Sequence, residues 1–131
     1  MVHFTQSYQF GKQQETAILP KISESFSREI QPYTELYAKH DYFCDQYNYE
    51  VKSRTNRMWQ YPTTMITENK AVGDKPLIFI FNFTDKVAYI EYNEEAFSTY
   101  ERRNFSRANL QYDQKPHIYI PVGDLKILYE K

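Results

Sequence analysis

The stretch Leu77-Ile78-Phe79-Ile80-Phe81 constrains this chain most: it is apolar at every position and bounded by the turn signals Gly73-Asp74-Lys75-Pro76 and Thr84-Asp85-Lys86. It is far too short to cross a bilayer, for which about 20 apolar residues are needed. Strand side chains alternate between faces, so Leu77–Phe83 reads as a fully buried strand, and Val87–Tyr92 reads as its hairpin partner. Such a strand needs a core around it. A chain of 131 residues, 41% hydrophobic and 18% aromatic, supplies one without a disulfide or structural metal. With three glycines, six prolines, no internal repeat and no Ser/Gly-rich linker, residues 1–131 read as a single domain.

Around that strand the pattern alternates between helix and sheet. Ile18, Ile22, Phe26 and Ile30 recur every four residues and predict an amphipathic helix from about Gln13 to Ile30, bent or delayed by Pro20. Tyr33 to Val51 mixes aromatic and polar residues in the manner of half-buried strands, two of them a hairpin. Thr63 to Ala71, behind Pro62 and with Thr63 or Thr64 as N-cap, reads as a short helix, and Glu94–Tyr100 as another. A basic loop follows around Arg102, Arg103 and Arg107, then His117–Pro121 as a last, edge strand. The fold class expected is α/β (α+β), a central mixed β-sheet flanked by helices.

Several functions are excluded by what the chain lacks. Cys44 is the single cysteine, so an internal disulfide and a Cys-rich zinc site are both excluded, and His3, His40 and His117 form no helical zinc-binding pair. Cys44 reads as a small buried hydrophobe and His40 as a structural strand residue. Met1–Gln6 lacks a basic-then-apolar signal peptide, so an intracellular, reducing compartment is expected and a membrane partner is not. A net charge of −1 argues against coating nucleic acid non-specifically; any such contact is local.

The segment His40 to Arg54 carries the chemistry. A hairpin with the two-residue turn Asp45-Gln46 sets Phe43 opposite Asn48, Tyr42 opposite Tyr49, and Asp41 opposite Glu50, with Cβ atoms about 4.5–5.5 Å apart. Lys52 shares the face of Glu50, roughly 6–7 Å further along the strand. Two opposed carboxylates repel unless a cation lies between them. Hard oxygen donors without thiol or imidazole suit Mg²⁺ or Mn²⁺, which take further ligands from a phosphate, while Lys52 orients a water or neutralises developing charge. The spacing recurs at Glu68-x-Lys70, in the expected helix where residues two apart do not face each other, and at Asp113-x-Lys115 and Asp124-x-Lys126, which have no acidic partner on a preceding strand.

Asp41, the nine-residue step to Glu50-Val51-Lys52, the following Ser53-Arg54, and Glu15 on the preceding helix together resemble the PD-(D/E)XK nuclease superfamily, which includes restriction endonucleases and Holliday-junction resolvases. The order helix, strands, helix, strand from Gly11 to Phe83 is similar to its restriction-endonuclease-like core; His40 stands where the family often has Pro. The resemblance implies that Asp41 and Glu50 are metal ligands with the Val51 carbonyl, that Lys52 is the catalytic lysine, and that Glu15 supports the metal. It also implies a Mg²⁺-dependent deoxyribonuclease, DNA rather than RNA. Lys70 resembles the accessory polar residue beside the site in some members.

Ser53, Arg54, Arg57 and Trp59, among Thr55 and Asn56, form a mixture suited to phosphates and an unpaired base, and the N-terminus of the helix expected at Thr63 offers another phosphate site. The expected function is hydrolysis of DNA phosphodiesters, extending to branched, nicked or single-stranded structures. The alternatives are a non-catalytic nucleic-acid-binding or assembly protein of the same fold, and a protein-interaction module whose aromatic surface pairs with itself or a partner; surplus aromatic area also offers a homodimer face, which suits a nuclease acting on two strands.

Overall fold

A computed structural model of the chain describes residues 13, 16–35, 38–68, 75–105 and 115–131. Its central element is the apolar run. Strand β5 (Leu77–Asn82) is buried at all six positions because both of its faces are covered. It lies inside a six-stranded sheet of order β1-β2-β3-β5-β6-β9, built from Gln31–Pro32, Tyr42–Phe43, Asn48–Ser53, β5, Lys86–Glu91 and Lys126–Glu130. β3 and β5 run parallel and the other neighbours antiparallel, so the sheet is mixed. The hairpin of β5 and β6 pairs Ile80 with Tyr89 and Phe81 with Ala88, as the sequence pattern requires.

One face of this sheet receives the first helix, α1 (residues 16–26), whose Ile18 and Ile22 pack with Tyr49, Val51, Ile78, Ile80 and Val87. The helix stops earlier than its apolar stripe suggests. Ser27 adopts a left-handed φ of 54°, its N–H donates to the Glu24 carbonyl at 3.1 Å and that of Arg28 to Ser23 at 3.1 Å, a Schellman ending. Ile30, one stripe position further, still reaches the same core from non-helical backbone. Pro20 lies within α1 on its exposed side.

The opposite face is covered by a second, three-stranded antiparallel sheet of order β4-β8-β7, formed by Thr63–Thr67, Lys115–Pro121 and Glu101–Phe105. Ile66, Ile118 and Ile120 from it meet Leu77, Phe79 and Phe81, with Phe97 from the short helix α2 (Glu94–Phe97) completing the layer. Asn93 caps α2 by accepting the Ala96 N–H at 2.9 Å. The α+β class and the mixed central sheet are thus as the sequence implies.

Three elements differ. Thr63–Thr67 is a strand, not a helix: its β-branched residues alternate in burial, and Met65 pairs with Tyr119 far along the chain. The connection from β3 to its parallel neighbour β5 therefore passes through the small sheet, and the helix N-terminus expected at Thr63 as a phosphate site is absent. Arg102 and Arg103 belong to strand β7 rather than a loop, and β8 is central, not an edge, because β4 and β7 flank it. Arg107, Gly73-Asp74 and His3 lie outside the described residues.

Candidate active site

The hairpin of β2 and β3 closes as its spacing requires. The Cys44 N–H donates to the Tyr47 carbonyl at 2.9 Å, Phe43 pairs with Asn48 and Tyr42 with Tyr49. The ladder then changes. The Asp41 N–H donates to the Tyr49 carbonyl at 3.1 Å, one residue off the register that would set it against Glu50, so two residues of this strand face one of β3. The Asp41 carboxylate takes up the ladder in place of the backbone: Oδ2 accepts the Val51 N–H at 2.8 Å. Direct Asp41–Glu50 opposition is thereby replaced by a carboxylate lying against the backbone that carries Glu50.

Glu50 and Lys52 share one face of β3, toward the small sheet. Parallel pairing sets Glu50 beside Phe79 and Lys52 beside Phe81, both phenylalanines fully buried. Glu50 is only 2% exposed. Burying a carboxylate among phenylalanines is costly unless it is hydrogen-bonded and paired, and both conditions are met. Oε1 lies 3.1 Å from His40 Nδ1 and Oε2 lies 3.8 Å from Lys52 Nζ. The lysine itself is 27% exposed at its side chain, so the cluster reaches solvent on that side.

His40 is the site residue that the sequence reading leaves out. Its ring is buried and touches Glu50, because the chain bends off the ladder at Asp41 and turns its neighbour inward. The available signal is adjacency: a histidine next to the acidic residue of a hairpin whose other strand supplies a buried glutamate. Val51 contributes backbone alone, its side chain being sealed in the helix-covered core. Glu15 and Lys70 lie outside the described residues. The described part of α1 packs on the face opposite Glu50 and Lys52.

Of the surrounding polar residues, Arg54 points inward. Its Nε donates to Thr64 Oγ1 at 3.1 Å and its terminal nitrogen to the Met65 carbonyl at 2.6 Å, with the guanidinium 5.6 Å from the Phe81 ring centre. Burial pulls its pKa below the ordinary arginine value. It ties β3 to β4 instead of presenting charge. Ser53 accepts a long hydrogen bond of 3.4 Å from Asn82. Arg57 and Trp59 are exposed, at 77% of the side chain and 61% of the residue. Cys44 is buried 3.5 Å from the Tyr49 hydroxyl, as its small-hydrophobe reading implies.

For a hard divalent cation the carboxylates present are already engaged within the protein, Asp41 with the Val51 N–H and Glu50 with His40 and Lys52. Asp41 and Glu50 offer carboxylate oxygens from adjacent backbone, and the Val51 carbonyl shares the β2-side edge of β3 with its N–H, where β2 has already ended. Among the described residues no group of three or more His, Cys, Asp or Glu side chains is arranged to hold a metal. No helix among the described residues is long and apolar enough to cross a membrane. The chain matches no protein-family model, no curated protein and no solved structure.

Proposed function

We propose that this protein is a metal-dependent nuclease that hydrolyses phosphodiester bonds, DNA ahead of RNA, at the Asp41–Glu50–Lys52 cluster. One observation carries the reading: a 2% exposed carboxylate and a part-buried ammonium lie 3.8 Å apart on one face of β3. Asp41 closes on the same strand's backbone at 2.8 Å. A surface salt-bridge ladder does not need a buried glutamate; a hydrolytic site gains from one, because charges act more strongly where water is excluded.

In this reading Asp41, Glu50 and the Val51 carbonyl hold Mg²⁺ or Mn²⁺. When bound, such an ion withdraws charge from the scissile phosphate and makes a coordinated water more acidic. His40 fixes one oxygen of Glu50 and so orients the other. Lys52, reaching toward solvent, meets the phosphate and offsets the negative charge that develops on it. The test is incubation of the purified protein with plasmid, branched and single-stranded DNA and with RNA, in Mg²⁺, Mn²⁺ or EDTA, beside Glu50→Gln and Lys52→Ala. Cleavage that requires metal and is lost in both variants supports the proposal; absence of cleavage under every condition overturns it.

A second reading, a non-catalytic nucleic-acid-binding or assembly protein, is favoured by the engagement of both Glu50 oxygens and of Asp41 within the protein. It expects nucleic-acid binding that persists in EDTA and in both variants, without hydrolysis.

A further inference from the structure

Between Glu50 and Glu68 the only charged residues are Lys52, Arg54 and Arg57, a wholly cationic stretch in a chain of net charge −1, with Arg57 the most exposed of the three. The same stretch holds the sole tryptophan and, among the described residues, the most exposed aromatics, Trp59 at 61% and Tyr61 at 54%. Exposure of a tryptophan on a loose loop would mean little. This turn is held on three sides.

Its first residue, Met58, is 1% exposed and plugs the core against Phe97 and Val122. The Met58 N–H donates to Asp85 Oδ1 at 2.9 Å, the Thr84 N–H to the Asn56 carbonyl at 3.1 Å, and the Gln60 N–H to the Arg57 carbonyl at 3.1 Å. Trp59 is therefore offered to solvent by backbone that has little freedom to withdraw it, which is preorganisation for a flat partner. It lines a shallow pocket with Arg57 and Lys86. The one carboxylate lining it, Asp85, is turned to other work: Oδ1 takes the Met58 N–H and Oδ2 lies 3.2 Å from Lys86, which also lies 3.7 Å from Glu130, while Arg57 is 4.0 Å from Asp85, the outer limit of an ion pair.

A second pocket begins at the next aromatic residue. Tyr61 and Tyr119 line it with Met65, and Gln60 links the two pockets by donating to the Tyr61 hydroxyl at 3.3 Å. Arg103 stands 5.1 Å from the Tyr119 ring centre on the outer face of the small sheet. Aromatic rings thus follow one another along the surface, Trp59 beside Arg57 and Lys86 in one pocket and Tyr119 beside Arg103, whose Nε donates to Glu101 at 2.7 Å.

The geometry points to a binding strip for single-stranded nucleic acid running from Trp59 past Tyr61 to Tyr119, with unpaired bases on the rings and phosphates on Arg57 and Lys86. The occupant is single-stranded because a base inside a duplex has both faces covered by its neighbours, whereas an unpaired base offers a face to an exposed ring. A protein partner accounts for the aromatics but not for the absence of any carboxylate between Glu50 and Glu68. The inference takes the phosphodiester reading as its basis and names the substrate class. Trp59 lies on the direct continuation of β3, the strand that carries Glu50 and Lys52.

The sole tryptophan reports on the strip directly. Oligothymidylate and oligoadenylate, as DNA and as RNA, are titrated into the full chain in EDTA while Trp59 emission is followed, with duplex DNA and an acidic peptide as comparators. The expected result is quenching by single strands, weakened by salt with a slope near −0.7 per phosphate neutralised. With a fluorescently labelled strand, Trp59→Ala should weaken binding roughly tenfold or more, Trp59→Phe by much less, and Arg57→Ala should flatten the salt slope. Unchanged affinity in Trp59→Ala, equal affinity for duplex, or a response to the peptide alone overturns the inference. Circular dichroism and thermal melting of each variant separate lost contacts from lost fold. Because the titration needs no metal, quenching without cleavage would defeat the nuclease reading and leave the strip; cleavage without quenching would do the reverse.

Discussion

Tyr49 and Glu50 are neighbours in one strand, both essentially removed from water, and each carries a polar tip into the interior. On the helix-covered face the Tyr49 hydroxyl accepts from Arg28 at 3.1 Å and lies 3.5 Å from Cys44 Sγ, inside a frame of aromatic rings including Phe26 and Tyr47. On the other face Glu50 meets His40 and Lys52. The two are equally buried and differently equipped. Burial pushes the Tyr49 hydroxyl up to about 12, helped by the Cys44 contact and opposed by Arg28, so it stays neutral and serves packing. The Glu50 carboxylate joins an imidazole and an ammonium, with Asp41 set against the Val51 amide at a strand edge that the neighbouring strand has left. A buried polar group alone does not mark a site; several ionisable groups meeting where one of them still reaches solvent make a candidate for one.

The largest effect should separate the pair outright. Glu50→Gln is expected to lower metal-dependent cleavage by about 10²-fold or more while the variant still folds. Tyr49→Phe should leave the rate per folded molecule unchanged and cost about 1–3 kcal/mol of stability, read from urea unfolding, because Arg28 and Cys44 lose their shared partner. Equal losses of rate in both variants would break the comparison.

Arg54, two positions beyond Lys52 on the same face, tests where the site ends. Arg54→Ala should destabilise by about 2 kcal/mol in the same unfolding measurement, since it removes the bonds to Thr64 and Met65 that join the sheets. Arg54→Lys should recover little of that, lacking the planar fork. Loss of nucleic-acid affinity with no loss of stability would instead move Arg54 into the binding surface.

Alkaline titration sharpens the helix-covered side. Because the folded pKa of Tyr49 lies above its value of 10 in the unfolded chain, the unfolded state releases its proton first. The associated stability is complete below pH 10 and is lost as pH rises toward 12, and Tyr49→Phe should flatten that decline in thermal melts. The smallest effect lies at the end of α1, where Ser27→Gly relieves a left-handed residue; a gain of about 0.5–1 kcal/mol is expected, with Schellman bonds and hairpin unchanged.

Much of this architecture is legible in single residues. Ile18 and Ile22 mark the buried face of α1, the spacing around Asp45-Gln46 sets the β2–β3 register, and Leu77–Phe81 announces a strand covered on both sides. Thr63–Ala71 misleads because Pro62 and two threonines imitate a helix start, whereas the partner that makes 63–67 a strand lies in β8. His40 is missed for a related reason: strict alternation would turn it away from Glu50, and only the departure at Asp41 brings it in.

What the sequence by itself determined is whatever depends on neighbours in the chain: helix periodicity, the hairpin turn, and the shared face of Glu50 and Lys52 two residues apart. Only the tertiary structure decided that Asp41 caps the Val51 amide, that Arg54 is a tie between sheets, and that His40 closes on Glu50. Those outcomes depend on which distant backbone supplies a donor or acceptor once water is excluded, and that is fixed by how the two sheets and α1 pack, not by spacing along the chain.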